Sequence, residues 1–396
     1  PSGGMQVKSV ENTSTAAPQL NITVAQPAVP GGLTITAPSA TASLAPATSL
    51  TREDVDYDSD SSRTQDRRKL DIREPVGAAP AGGRPLMVFV HGGSFVGGSE
   101  DSVDADHLRL ALLRGYTFVS VRYTISDSVG TYNTNTHPMP VQDLGAALKF
   151  VDTELNVDMA ELVLSAYSAG GHLAMEYALT HNDQTEYDWV YTGPVANDRN
   201  DNEPLVSPKF DFTQGRTGLP TPKGIFLWDA PTSITKTLAH NSLFANAARG
   251  YLGGLNTTAF YISSTEHEAD LDNLITGQVG TDSIDSMWEG NLSHRAALAS
   301  MPIGYIEARY GTNCAAAAAG TNGVTIGQAA GIQALKASIT DVGGRASDST
   351  TVNGLSALGG LSHWRNQQNN LGLLDYPHDK VYVWDDYTEL TSWLDW

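Results

Sequence analysis

The chain has 396 residues, 40% hydrophobic and 17% charged, which supplies a sizeable core and excludes a disordered or collagen-like chain. Its 44 acids against 24 Lys plus Arg give a formal charge of -20, a field that repels phosphate backbones and anionic lipid and argues against nucleic-acid and membrane-surface partners. The single cysteine, Cys314, cannot close an internal disulfide, nothing resembles a thiolate metal site, and no apolar run has the length of a membrane span.

Residues 1–50 carry two charges, Lys8 and Glu11, among many Thr, Ser, Ala and Pro. Short alternating runs such as Leu20–Val24 and Leu33–Thr36 fit a linker, or an extended N-terminal arm that adds a strand to a sheet edge and so supports self-association. The start at Pro1 and the N-glycosylation acceptor sequences at Asn12, Asn21, Asn256 and Asn291 fit a processed protein that is secreted or held at the cell surface.

From about residue 51 strands alternate with helices, which predicts an α/β domain over 51–396 with a mostly parallel central sheet flanked by helices. Residues 85–90, 116–121, 162–165 and 224–228 are continuously apolar, as expected of strands covered on both faces. Between them, 108–113, 141–151 and 172–179 have the three- and four-residue apolar spacing of amphipathic helices. A strand over 302–309, a helix over 325–340, a last strand near 352–358 and a closing helix over 383–395 complete the pattern. Two insertions, about 181–220 and 232–290, are acidic and predict a solvated cap. The cluster Asp198–Glu203 offers oxygens to a calcium ion but lacks the spacing of a calcium loop, so neither a metal nor a cofactor is expected.

The chemistry concentrates in Leu162-Val163-Leu164-Ser165-Ala166-Tyr167-Ser168-Ala169-Gly170-Gly171-His172, an apolar strand that turns at once into a helix. A serine at such a corner holds its hydroxyl above the sheet, and small residues two before and two after it, here Ala166 and Gly170, let the backbones approach. The helix aims its N-terminal N–H groups and positive dipole end at that corner, which suits a developing oxyanion. Upstream, Val88-Phe89-Val90-His91-Gly92-Gly93 puts a glycine pair directly after another buried strand. Gly92 and Gly93 would supply one side of an oxyanion hole and Ala169 the other.

With these motifs, the chain over about 65–395 resembles the α/β-hydrolase superfamily, in particular its hormone-sensitive-lipase-like and feruloyl-esterase-like esterases. Lys69-Leu70-Asp71-Ile72, Gly115-Tyr116 to Arg122-Tyr123 and His137-Pro138-Met139-Pro140-Val141-Gln142-Asp143 extend the likeness. It implies a Ser-His-acid triad in an α/β-hydrolase fold, with Ser168 the nucleophile. In the segment resembling the acid-bearing loop, Ile306 to Cys314, Cys314 stands where the family has Asp, and a neutral thiol cannot hold an imidazolium as a carboxylate does. Asp229, one strand earlier, is the substitute; otherwise it is a turn carboxylate ahead of Ala230-Pro231, or the protein has no triad acid. His363 is similar to the family's loop after the last strand and is the first choice of base, with His378 the alternative. His91 is read as orienting backbone, and His172 as pointing away from the serine.

The resemblance implies a serine carboxylesterase that hydrolyses acyl or aryl esters through an acyl-enzyme on Ser168, with a small-molecule ester as substrate. The alternative, motivated by Cys314 and the uncharged arm, is a catalytically impaired hydrolase-fold protein with a structural or assembly role.

Overall fold

The computed structural model describes residues 49–58, 68–126, 138–181, 216–233, 251, 292–307, 322–348, 360–365 and 388–394. Their strands are β1 (Ser49–Asp56), β2 (Lys69–Pro75), β3 (Arg84–Val90), β4 (Thr117–Val121), β5 (Val157–Tyr167), β6 (Gly224–Trp228), β7 (Pro302–Glu307), β8 (Ala346–Asp348) and β9 (Gly360–Arg365). The helices among them are α1 (Ala105–Leu113), α2 (Met139–Glu154), α3 (Ala169–Thr180), α4 (Leu292–Ser300), α5 (Asn322–Asp341) and α6 (Thr388–Leu394). One sheet runs in the order β1-β2-β4-β3-β5-β6-β7-β9-β8, antiparallel at β1/β2 and β2/β4 and parallel elsewhere. This is the predicted sheet with helices on both faces, the α/β-hydrolase architecture. Most of the cap and of the N-terminal arm, with Cys314, His378 and the asparagines of the four glycosylation sequences, lie outside the described residues.

Two core layers explain the continuous apolarity of the strands. Leu86, Val88 and Val90 of β3 point into one layer, with Leu173 of α3, Leu144 and Leu148 of α2 and Leu335 of α5. Met87 and Phe89 point into the other, with Ala111 of α1 and Leu390 and Trp393 of α6. Each fully buried Leu, Val or Phe contributes roughly 1.5–3 kcal/mol relative to exposure, so a strand buried on both faces must be apolar at every position.

The edge strand β1 escapes sequence reading because it has no apolar alternation; most of its side chains are exposed. Backbone pairing with β2 holds it, supplemented by the Arg52–Glu74 and Arg73–Glu53 ion pairs. It begins at Ser49, so the sheet takes in the last two residues of the stretch read as an arm.

His107 of α1 is buried among Phe89, Phe118 and Trp228, its ring 5.1–5.6 Å from theirs. Burial lowers its pKa from 6.5 to about 3. Below pH 6.5 the ring takes up a proton on unfolding that it does not hold when folded. Its contribution to stability is therefore complete above pH 6.5 and lost as pH falls toward 3, by at most about 1.4 kcal/mol per pH unit. The urea midpoint should drop between pH 7 and pH 4.5, and His107→Phe should flatten that slope.

Candidate active site

The chain leaves β3 toward β4 on one side, while β5 lies on β3's other side. Loops leaving the carboxyl ends of β3 and β5 therefore diverge, opening the kind of crevice where open α/β sheets bind ligands. The glycine loop follows β3 and Ser168 follows β5, so topology brings together two motifs about 75 residues apart in sequence.

Ser168 is the N-cap of α3 with φ 51° and ψ -124°, a conformation that strains any residue with a Cβ. Its N–H donates to Trp228 O at 3.0 Å, which locks the corner to β6. Its hydroxyl makes no capping bond to the helix, and the residue is 3% exposed. Ala169, the first residue of α3, has an N–H at the helix's electropositive end.

Gly170 explains the motif's spacing. A Cβ there would lie 2.2 Å from Val90 O and 2.4 Å from His91 O, against backbone that cannot yield. Ala166, which replaces the family's first glycine, sits buried in β5 with its own Cβ accommodated. Gly170→Ala should cost about 3 kcal/mol, the upper end for forced overpacking. Ala166→Gly should cost roughly 0.5–1 kcal/mol. Denaturant midpoints of the two variants check the asymmetry.

The glycine loop abuts the serine. A Cβ on Gly92 would approach Ser168 Cβ to 3.0 Å, and Gly93 has φ 122°, where its N–H can be turned without side-chain strain. His91 Nδ1 lies 2.7 Å from Gly92 O, its ring stacks on Tyr123 at 4.2 Å, and Tyr123 OH donates to His91 O at 2.8 Å. Thus His91 holds the loop's backbone. His172 is buried, with Nδ1 3.1 Å from Pro231 O and Nε2 3.4 Å from Glu176 Oε1.

Across β5, β6, β7 and β9, Tyr167, Trp228, Ile306 and Trp364 stand in register. Ser168, Asp229 and Glu307 each follow directly at the carboxyl edge. Asp229 is fully buried with φ 41°, and its N–H donates to Ile306 O at 2.7 Å. Burial raises the pKa of the Tyr305 phenol well above the usual range, and the charges of Asp229 and Glu307 raise it further. Tyr305 OH donates to Ala230 O at 2.8 Å, in the residue directly after Asp229. Sequence reasoning overlooked Glu307; its only signal is an acid at the end of an otherwise apolar strand.

His363 requires a correction of position. It lies within β9, paired with Tyr305 of β7 and Asp348 of β8, rather than in a loop after the last strand. The strand expected near 352–358 lies outside the described residues; β9, Gly360–Arg365, carries His363 in the ladder. Three strand spacings of about 4.8 Å separate β9 from β5, and His363 is two register steps below Ser168.

Strand order, serine corner and adjoining glycine loop fit the α/β-hydrolase fold, and the proteins this chain is similar to include esterases. The BD-FAE family model matches residues 70–205, from β2 through the serine corner. Carboxylesterase 3 of Pongo abelii is 27% identical over 189 residues, 45% of this chain and 29% of that protein. Non-reducing polyketide synthase atr1 of Stereocaulon alpinum is 27% identical over 171 residues, 39% of this chain and 7% of the synthase. The chain thus spans less than a third of the length of these curated relatives. Among solved structures, esterase B of Lactobacillus rhamnosis is similar at 15% identity and TM-score 0.47, over 81% of this chain and 76% of that one.

Among the described residues no helix is long and apolar enough to cross a membrane, and no group of three His, Cys, Asp or Glu could hold a metal ion.

Proposed function

We propose that this chain is a serine carboxylesterase acting on acyl or aryl esters of small alcohols or sugars. The observation that carries the reading is Ser168 in a left-handed, strained corner against the Gly92 backbone. Strain is retained where surrounding structure over-determines it, and here it aims a hydroxyl between two sets of backbone N–H groups. Ser168 Oγ attacks the ester carbonyl, and the N–H groups of Ala169 with Gly92 or Gly93 receive the oxyanion. The alcohol leaves with the proton that the base took from serine, and water then cleaves the acyl-enzyme.

The base in this reading is His378, because it comes after β9, the last strand among the described residues, whereas His363 is part of β9. Asp229 orients the imidazole, supported by its position one strand from the nucleophile at the same edge. The product would be released outside a cell if the glycosylation sequences are used, which peptide mapping after glycosidase treatment would reveal.

A fluorophosphonate probe should label Ser168 and abolish turnover of p-nitrophenyl acetate. Absence of both labelling and turnover in folded protein removes the reading. Cys314 in place of the family's Asp favours the second reading, a catalytically impaired protein that assembles through residues 1–50. Its mark would be a loss of mass by light scattering on deletion of residues 1–45, in a protein without esterase turnover.

A further inference from the structure

Glu176 lies on the helix that follows the nucleophile and has no role in the mechanism given above. Yet it is 1% exposed and lies at the centre of a buried polar and aromatic cluster. Tyr251 OH donates to Glu176 Oε2 at 2.6 Å. His172 Nε2 lies 3.4 Å from Oε1, an ion-pair distance, while Nδ1 bonds Pro231 O in the loop that follows Asp229. Burial and the adjacent Glu176 charge raise the Tyr251 phenol well above its ordinary pKa, so it remains a neutral donor to that carboxylate.

Tyr251, hydrogen-bonded to Glu176, and His172 beside it enclose a third ring. Phe95 of the glycine loop stacks on Tyr251 with centroids 4.1 Å apart at 15°, and meets the edge of His172 at 5.7 Å and 83°. Phe95 and its neighbour Ser94 have φ 65° and 53°. Two consecutive left-handed residues other than glycine are strained, so the loop cannot rely on its own backbone preference. Stacked and edge-on aromatic contacts stabilise beyond burial and offset that strain when the rings are fixed. Phe95 is also only two residues beyond Gly93, and its carbonyl accepts the Ser126 N–H at 2.7 Å.

We propose that Glu176 is a positioning residue for the oxyanion loop: by fixing Tyr251 and His172 it clamps Phe95 and thereby sets the direction of the Gly92 and Gly93 N–H groups. The same carboxylate, through His172 and Pro231, ties in the loop that follows Asp229. Four segments remote in sequence, containing Phe95, His172 with Glu176, Pro231 and Tyr251, thus meet behind the nucleophile. The proposal rests on the esterase reading for its effect on turnover, but its structural part can be tested alone.

The experiment compares wild-type protein, Glu176→Gln and Tyr251→Phe by p-nitrophenyl acetate kinetics and by hydrogen exchange of the amides of residues 92–98. Glu176→Gln keeps the side-chain shape and removes the charge; kcat should fall at least ten-fold with KM within two-fold. Exchange over 92–98 should accelerate while β4 stays protected. Tyr251→Phe keeps the stacked ring and should shift both readouts the same way, less far. It decides the matter should Glu176→Gln not fold. Folded variants with wild-type kcat and wild-type exchange at 92–98 overturn the proposal. A wild-type protein without turnover removes the esterase reading instead, and the exchange comparison then still decides whether Glu176 clamps the loop.

Discussion

Ser168→Ala should leave the fold intact and reduce ester turnover by about a million-fold, the scale on which loss of a serine nucleophile acts. The fold should survive because the corner is fixed by backbone: Ser168 N–H to Trp228 O, Gly171 N–H to Ser168 O, and Gly170 packed under the end of β3. Alanine keeps the Cβ and therefore the same left-handed strain, so thermal midpoints should nearly coincide. Covalent labelling by a fluorophosphonate must vanish in the variant, since the bond forms to the deleted oxygen. A residual rate over water of about 10³-fold is expected from the oxyanion donors, which the substitution leaves in place. Turnover within ten-fold of wild type would place the chemistry on another group and end the serine mechanism.

The second large effect concerns the acid. Asp229→Asn should lower kcat about ten-thousand-fold, because an amide in place of the carboxylate holds the imidazole in the wrong tautomer and cannot balance the imidazolium. Glu307→Gln should change kcat less than ten-fold. Asp229 terminates the strand beside the nucleophile strand, while Glu307 lies one strand further away. Asn keeps the size of Asp and the N–H bond to Ile306 O, so a loss of activity without a loss of stability separates orientation from packing. If Glu307→Gln gives the large loss and Asp229→Asn the small one, the acid resides at the end of β7, close to where the family carries it. If neither does, the mechanism lacks a carboxylate, as Cys314 suggests.

Much of the fold was legible in the sequence because burial on both faces leaves a strand no choice of residue type. The apolar runs at 85–90, 162–165 and 224–228 fall in strands, and 116–121 does so from Thr117 onward. β1 was not legible, since its eight residues are held by main-chain bonds and charges at the sheet's edge, where side chains need not alternate. The serine corner was legible for a steric reason: Gly170 has no room for a Cβ, and that constraint is written into the local sequence. His363 misled because its place came from resemblance to the family's loop after the last strand, whereas β9 begins at Gly360 and continues through Arg365.

By itself the sequence determined the alternation of strands and helices and the identity of the two motifs, each a matter of neighbours in the chain. Which motif faces which, that Asp229 and Glu307 end adjacent strands, and that Phe95 is enclosed by Tyr251 and His172 were decided only in three dimensions. The physical reason is that strand order and register are set by the whole sheet's hydrogen bonding and core packing. These couple residues dozens to hundreds of positions apart and leave no periodic trace at either end of the contact.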